Sequence, residues 1–152
     1  LTLMTIVLFF FVRNYDIPIN SIDVDFLDNW LKNQLFLNSF LVLCFLFIIN
    51  GSNLIDGFNG LLSIHLIIIN SILFYTNLIN GNNELSIIII SQTIILLSFL
   101  LFNFPKAKMF FGDSGSYFFG ALTALNIIYT NNINPDISSF FFCILLFYLF
   151  YL

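Results

Sequence analysis

Apolar residues in this sequence come in long blocks that are separated by short polar clusters. The blocks lie near residues 1–12, 35–49, 61–78, 85–102, 117–129 and 138–152. Most of them are about 15 to 20 residues long, the length that a helix needs to cross roughly 30 Å of hydrocarbon. Their continuous rather than alternating hydrophobicity favours helices over barrel strands, because a helix satisfies its own backbone N–H and C=O groups in lipid. The pattern predicts an all-α, polytopic integral membrane helical bundle, with all spans in a single membrane domain over residues 1–152.

The composition supports membrane insertion and argues against a soluble domain. Hydrophobic residues make up 60% of the 152 residues and charged residues only 8%, whereas a soluble domain carries about 25% charged residues. Cys44 and Cys143 both fall within apolar blocks, so we expect small buried hydrophobes and neither a disulfide nor a thiolate metal site. The net charge of −4 says little about partners because the charges are few, and no nucleic-acid partner is expected.

The two ends of the chain indicate whether it is a whole protein or a fragment. It begins at Leu1 and stops at Leu152, in both cases within an apolar run. We therefore expect a fragment of a longer membrane protein, and we expect the fragment alone to be inactive. The first block has no basic n-region and no small-residue cleavage site, so a signal peptide is not expected.

Counting the predicted crossings assigns each polar segment to one side of the membrane. Two crossings separate residues 50–60 from residues 103–116, which places these two segments on the same side. Residues 13–34, 80–84 and 130–136 are expected on the opposite side by the same count.

The two sides differ in their charges. The opposite side is predicted to hold most of the eight acids, namely Asp16, Asp23, Asp25, Asp28, Glu84 and Asp136. The side of residues 50–60 and 103–116 keeps only Asp56 and Asp113, together with Lys106 and Lys108. The positive-inside tendency predicts that this side is cytoplasmic, although Arg13 and Lys32 lie on the other side.

The first candidate site segment runs from Asn53 to Gly60. Asn53, Asp56 and Asn59 are spaced three residues apart, so in a helical turn they would be neighbours along one edge. Carboxylate and amide oxygens suit Mg²⁺, which is commonly held by one or two carboxylates plus substrate phosphates. Asp56 is therefore a candidate ligand or general base. The alternative is a membrane-surface turn in which these residues serve backbone geometry and solvation.

The second candidate segment, residues 110–116, places Asp113 where the fifth predicted span begins. A helix N-terminus with glycines and a hydroxyl such as that of Ser114 suits phosphate oxygens, and Lys108 adds positive charge. The alternative is that Asp113 is an ordinary N-cap. Lys106 is expected to be an interface residue that extends its amine to water.

The two segments together resemble a known family, the polyprenyl-phosphate N-acetylhexosamine 1-phosphate transferases, which includes the phospho-N-acetylmuramoyl-pentapeptide transferases. Residues 53–61, Asn-Leu-Ile-Asp-Gly-Phe-Asn-Gly-Leu, are similar to its Asn-x-x-Asp-Gly-x-(Asp or Asn)-Gly-Leu signature. Residues 107–116, Ala-Lys-Met-Phe-Phe-Gly-Asp-Ser-Gly-Ser, are similar to its Ala-Lys-x-Phe-x-Gly-Asp-x-Gly-Ser signature. The order and two-span separation of the segments also agree. The resemblance implies the middle part of a protein with roughly ten spans.

Carried over to this chain, the resemblance implies a role for each matching residue. Catalytic roles fall to Asp56 and Asp113, which would also bind Mg²⁺, with Mn²⁺ as an alternative metal. Phe110 would pack on the uracil ring, and the other implied substrate contacts are Asn53, Asn59, Asn103, Lys108 and Ser114. Asn59 departs from the aspartate of the muramoyl-pentapeptide branch. This departure points to the N-acetylglucosamine or a related surface-polysaccharide branch.

The implied function is transfer of a sugar 1-phosphate, N-acetylglucosamine or a related N-acetylhexosamine 1-phosphate, from a UDP-sugar to polyprenyl phosphate, with release of UMP. The resemblance also implies an Mg²⁺-dependent transferase of cell-wall or lipopolysaccharide biosynthesis. We expect it in the bacterial inner membrane with its active face cytoplasmic, and a homodimer is one expected assembly. The alternative is a multi-span transporter with interrupted helices. Transport sites sit near the midplane, whereas both polar segments here lie between full-length apolar blocks. A CDP-alcohol phosphotransferase is a second rival, but its aspartate-rich signature is missing.

His65 is the one histidine and lies within an apolar block. An ionisable group inside a membrane span invites a functional interpretation. The residue matches neither signature, however, and we expect a neutral imidazole that is hydrogen-bonded to a neighbouring helix.

Overall fold

The computed structural model describes residues 2–15, 17, 19, 21–139 and 142. Within these residues the secondary structure is entirely helical. The helices are α1 (Thr2–Tyr15), α2 (Asp25–Leu31), α3 (Gln34–Ile55), α4 (Leu61–Ile79), α5 (Asn83–Asn103) and α6 (Gly112–Ile133). Asp16 and Cys143 lie outside the described residues, as does nearly all of the block near 138–152.

Among the described residues, three helices are long and apolar enough to cross a membrane: α3, α4 and α5. The 22-residue α6 matches them in length but carries more polar residues, and α1 is a shorter apolar helix. An all-helical bundle with long apolar helices and no strand among the described residues confirms the predicted membrane helical fold.

The bundle core forms where α3 packs against α6 and α4 packs against α5. At Gly120, α6 lies close to α3. A Cβ atom at this position would lie 2.8 Å from the Ser52 Oγ and 3.1 Å from the Ile49 Cα. Because a helix backbone cannot give way as a flexible side chain can, any larger residue here would push the two helices apart.

Hydrogen bonds at the two ends of the bundle confirm the predicted grouping of the polar segments. At one end the Asn82 Nδ2 donates to the Asn134 Oδ1 at 3.1 Å, which joins residues 80–84 to residues 130–136, and the nearby Asn77 Nδ2 donates to the Thr130 Oγ1 at 2.8 Å. Asp23 joins this end because its carboxylate accepts from the Ser139 backbone N–H at 2.7 Å. Residues 50–60 and 103–116 meet at the other end.

Two features of the helices differ from the apolar pattern. The third helix continues through the polar residues that follow Ile49 and ends at Ile55, and Asn50 fits inside it because its Nδ2 donates to the Leu46 carbonyl at 2.7 Å. The short α2 lies within residues 13–34, which the apolar pattern predicts to be a polar segment between spans. Asp28 of α2 accepts from the Ile22 backbone N–H at 2.8 Å and so ties the helix to the preceding loop.

His65 is buried in α4, and its Nδ1 lies 2.7 Å from the carbonyl oxygen of Leu61. This partner is one turn earlier in the same helix, and the expected hydrogen bond to a neighbouring helix stays a prediction. This contact satisfies one ring nitrogen of a histidine that lies in an apolar span.

Candidate active site

The first wall of the candidate site is the end of α3 and the turn into α4. Asp56 is the C-cap residue of α3, and the chain then turns through residues 57–59 to Gly60. Gly60 has φ +74°, a left-handed conformation that favours glycine. A Cβ at Gly60 would lie 2.9 Å from the Phe104 Cδ2. The glycine thus allows both the turn and the close approach of the second segment.

Asn103, the last residue of α5, joins the two segments. Its Oδ1 accepts from the Gly60 backbone N–H at 2.7 Å, and its Nδ2 donates to the Met109 carbonyl at 2.7 Å. The side chain is only 2% exposed. Asn59 adds a further contact, because its Nδ2 donates to the Pro105 carbonyl at 3.1 Å. The convergence of residues 50–60 with residues 103–116, expected from the count of crossings, is confirmed.

Asp56 makes the contact that brings α3 to the start of α6. Its Oδ1 accepts from the Phe111 backbone N–H at 3.2 Å, and its Oδ2 accepts from the Gly112 backbone N–H at 2.9 Å. The residue is 6% exposed. Its charge is therefore compensated by N–H groups at the positive end of the α6 dipole.

Asp113 is the second residue of α6, directly after Gly112, and its side chain is exposed. The N-cap position belongs to Phe111, and the helix start has no side-chain cap from its own N-cap residue. The alternative in which Asp113 is the N-cap is therefore wrong. Within the described residues the Asp113 carboxylate has no hydrogen-bond partner, so its oxygens remain available to a ligand.

Asn53 links the last turn of α3 to the first turns of α6. Its Oδ1 accepts from the Ser116 hydroxyl at 3.0 Å, and its Nδ2 donates to the Tyr117 hydroxyl at 3.2 Å. Sequence reasoning did not assign a role to Ser116 or Tyr117. The spacing could have indicated them, because they lie three and four residues after Asp113 and residues so spaced share a helix face. The expected edge of Asn53, Asp56 and Asn59 does not form, because α3 ends before Asn59.

The two neighbouring phenylalanines of the second segment have different environments. Phe110 is 46% exposed, whereas the Phe111 ring stacks on Phe99 with the ring centroids 3.8 Å apart. Phe110 is thus the ring that a planar ligand can reach. Lys108 and Ser114 are also exposed at this end of the bundle.

The donor set for a metal is small. Within the described residues no three His, Cys, Asp or Glu side chains lie close enough together to hold a metal ion. The carboxylates at this end are those of Asp56 and Asp113, and only the second is without a protein partner in the described part of the chain. Such a set suits a cation whose remaining ligands are water and substrate phosphates, as is common for Mg²⁺.

Comparison with known proteins identifies the chain's family. The family model described as glycosyl transferase family 4 matches residues 1–131. The chain is 44% identical over 81 residues to a phospho-N-acetylmuramoyl-pentapeptide-transferase of Leuconostoc mesenteroides, an alignment of 52% of the chain and 25% of that protein. It is 31% identical over 105 residues to one of Clostridium perfringens, covering 69% of the chain and 33% of that protein.

A third relative, the phospho-N-acetylmuramoyl-pentapeptide-transferase of Streptococcus mutans, is 42% identical over 77 residues, which are 49% of the chain and 22% of that protein. The chain thus spans between 22% and 33% of the length of these curated relatives. No solved structure matches it significantly. Because the family model matches well over half of its residues, including both signature segments, the chain belongs to glycosyl transferase family 4.

Proposed function

We propose that the full-length protein containing this chain transfers an N-acetylhexosamine 1-phosphate from a UDP-sugar to polyprenyl phosphate. One oxygen of the lipid phosphate forms a bond to the β-phosphorus, the bond from that phosphorus to the UMP oxygen breaks, and UMP leaves. The observation that carries this proposal is the hydrogen-bonded meeting of the two signature segments, which leaves the Asp113 carboxylate exposed beside them.

The residues at this end fit a divalent cation that substrate phosphates help to hold. Asp113 offers an exposed carboxylate, and Asp56 accepts a hydrogen bond from the backbone N–H of Gly112, the residue before Asp113. Mg²⁺ bound there, or Mn²⁺ in its place, would neutralise negative charge that develops on the UMP leaving group. We assign the metal to Asp113 first, since both Asp56 oxygens already accept backbone hydrogen bonds.

The remaining site residues have roles that follow from their exposure and chemistry. The exposed Phe110 ring would stack on uracil, and the Lys108 amine and Ser114 hydroxyl would contact phosphate oxygens. Asn53, Asn59 and Asn103 were also predicted to touch the substrate. Each of these three amides bonds to protein groups across the site, so we expect them to act on substrate mainly by holding the walls together.

The identity of the transferred sugar is a separate part of the proposal. The relatives found are named for the muramoyl-pentapeptide substrate, whereas Asn59 replaces the aspartate of that branch. We propose N-acetylglucosamine or a related N-acetylhexosamine as the sugar and cell-envelope polysaccharide synthesis as the process. We further propose that the active end faces the cytoplasm at the bacterial inner membrane and that the full-length protein forms a homodimer.

The test is UMP release by the purified full-length protein in liposomes. UDP-N-acetylglucosamine and UDP-N-acetylmuramoyl-pentapeptide are supplied separately, each with and without polyprenyl phosphate and Mg²⁺. We expect UMP only when donor, lipid phosphate and metal are all present, with faster release from the first donor. Faster release from the second donor would overturn the sugar assignment. Solute or ion flux without any UMP would overturn the transferase and favour the transporter.

A further inference from the structure

The start of α6 receives its cap from a different helix. Helices leave their first backbone N–H groups without partners inside the helix, and a side chain at the N-cap position usually supplies an acceptor. Phe111 holds that position in α6 and has no acceptor to offer. The two N–H groups of Phe111 and Gly112 are instead bound by the two oxygens of Asp56, at 3.2 Å and 2.9 Å.

This contact fixes the first turn of α6 on the last turn of α3. A charged acceptor makes stronger hydrogen bonds than a neutral one, and Asp56 is 6% exposed, so water competes weakly for its oxygens. A second tie lies one turn further along α6, where the Ser116 hydroxyl donates to Asn53 at 3.0 Å. Asp113 is between these two attachment points, which restricts where its carboxylate can be placed.

We propose that Asp56 is a positioning residue: it caps α6 from the end of α3 and thereby sets the place of the Asp113 carboxylate. The consequence for catalysis rests on the proposed function, but the cap itself does not. The role differs from that of a metal ligand or general base, which the sequence suggested for Asp56. A ligand acts on substrate or metal directly, whereas a cap acts through the backbone N–H groups of Phe111 and Gly112.

Asparagine at position 56 tests the cap because it keeps the size of aspartate but has only one acceptor oxygen. Its NH₂ group would face one of the two backbone N–H donors, so one donor would lose its partner. Proline at position 111 removes that backbone N–H, and the φ of −64° at Phe111 already suits proline. Since Phe111→Pro also removes the ring stacked on Phe99, the matched background is Phe111→Ala, which loses the ring but keeps the N–H.

The first measurement is the effect of Asp56→Asn on kcat in these two backgrounds of the full-length protein. In Phe111→Ala we expect kcat to fall roughly 10²-fold, the cost of displacing a reacting group by about 1 Å, with KM for the UDP-sugar little changed. In Phe111→Pro we expect less than about a tenfold fall, because the donor that opposed the asparagine NH₂ is gone. An equal fall in both backgrounds would overturn the positioning role.

The second measurement does not depend on activity or on the proline variant. Amide hydrogen exchange is followed by mass spectrometry in the peptide that covers residues 109–117, without substrate or metal. We expect Asp56→Asn to accelerate exchange there roughly fivefold, the effect of losing a helix cap. The matched control is Asp136→Asn, an exposed aspartate at the other end of the bundle, which should change nothing. Unchanged exchange in Asp56→Asn would overturn the cap. If the wild-type protein has no transferase activity, only the proposed function is overturned.

Discussion

Gly60 and Gly81 form a matched pair that tests how closely the two signature segments pack. Both glycines have left-handed backbone conformations, with φ +74° and +77°. A Cβ at Gly60 would meet the Phe104 Cδ2 at 2.9 Å and the Leu100 Cδ1 at 3.2 Å, whereas nothing lies within 4 Å of one at Gly81. Alanine therefore imposes the same backbone cost at both positions but a steric cost only at Gly60.

The two costs can be estimated separately. A non-glycine residue in the left-handed region costs roughly 1–2 kcal/mol, which is the whole expected effect of Gly81→Ala. At Gly60, overpacking adds roughly 1–3 kcal/mol, because a Cβ atom is not tolerated at 2.9 Å from another carbon. The Phe104 Cβ, 3.0 Å away, is attached directly to the backbone and cannot rotate out of the way. Gly60→Ala should thus lower the free energy of unfolding by about 2–5 kcal/mol.

The assay is a denaturant titration of the full-length variants in mixed micelles, followed by kcat for UMP release. We expect Gly60→Ala to lose more stability than Gly81→Ala by roughly 1–3 kcal/mol. We also expect kcat to fall only for Gly60→Ala, since moving Phe104 shifts the segment that leads to Asp113. Equal losses of stability at the two positions would refute the contact between Gly60 and Phe104.

Two other predictions concern side chains of the second segment. Asn103→Leu leaves the buried Gly60 N–H without its partner and also removes the bond to the Met109 carbonyl. At roughly 1–3 kcal/mol for a buried unpaired group, the same titration should show a loss of at least about 1 kcal/mol, and a smaller loss would contradict this role. Phe110→Ala should raise KM for the UDP-sugar at least about fivefold, from lost stacking worth roughly 1–3 kcal/mol, without lowering stability. Phe111→Ala should lower stability instead, and the reverse pattern would show that the two rings were assigned wrongly.

Much of the fold follows from one local property, the alternation of apolar blocks and polar segments. The parity of the crossings also predicts which segments share an end of the bundle. The end of α3 was harder to predict because hydropathy places Asn50 outside an apolar span. Its side chain pairs with the Leu46 carbonyl of its own helix, so the polar group is satisfied and the helix continues to Ile55.

The sequence also did not predict which groups hydrogen-bond to each other within the site. Residue types and spacing singled out Asp56 and Asn103 as chemical groups, and their partners are distant in sequence. The Asp56 oxygens bind backbone N–H groups of Phe111 and Gly112, and Asn103 binds that of Gly60. Backbone N–H groups are the same at nearly every residue, so no sequence motif indicates which of them an acceptor will meet.

Asp113→Asn in the full-length protein, with Asp136→Asn as the matched control, tests the proposed catalytic role of Asp113. Asp113 is exposed and is not the N-cap of α6, so the substitution should leave folding unchanged. Losing one electrostatic contact to the leaving group costs roughly 10²–10³ in rate. We predict that UMP release falls by that factor in Asp113→Asn and stays normal in Asp136→Asn. Normal turnover of Asp113→Asn with an unchanged Mg²⁺ dependence would show that Asp113 does not bind the catalytic metal.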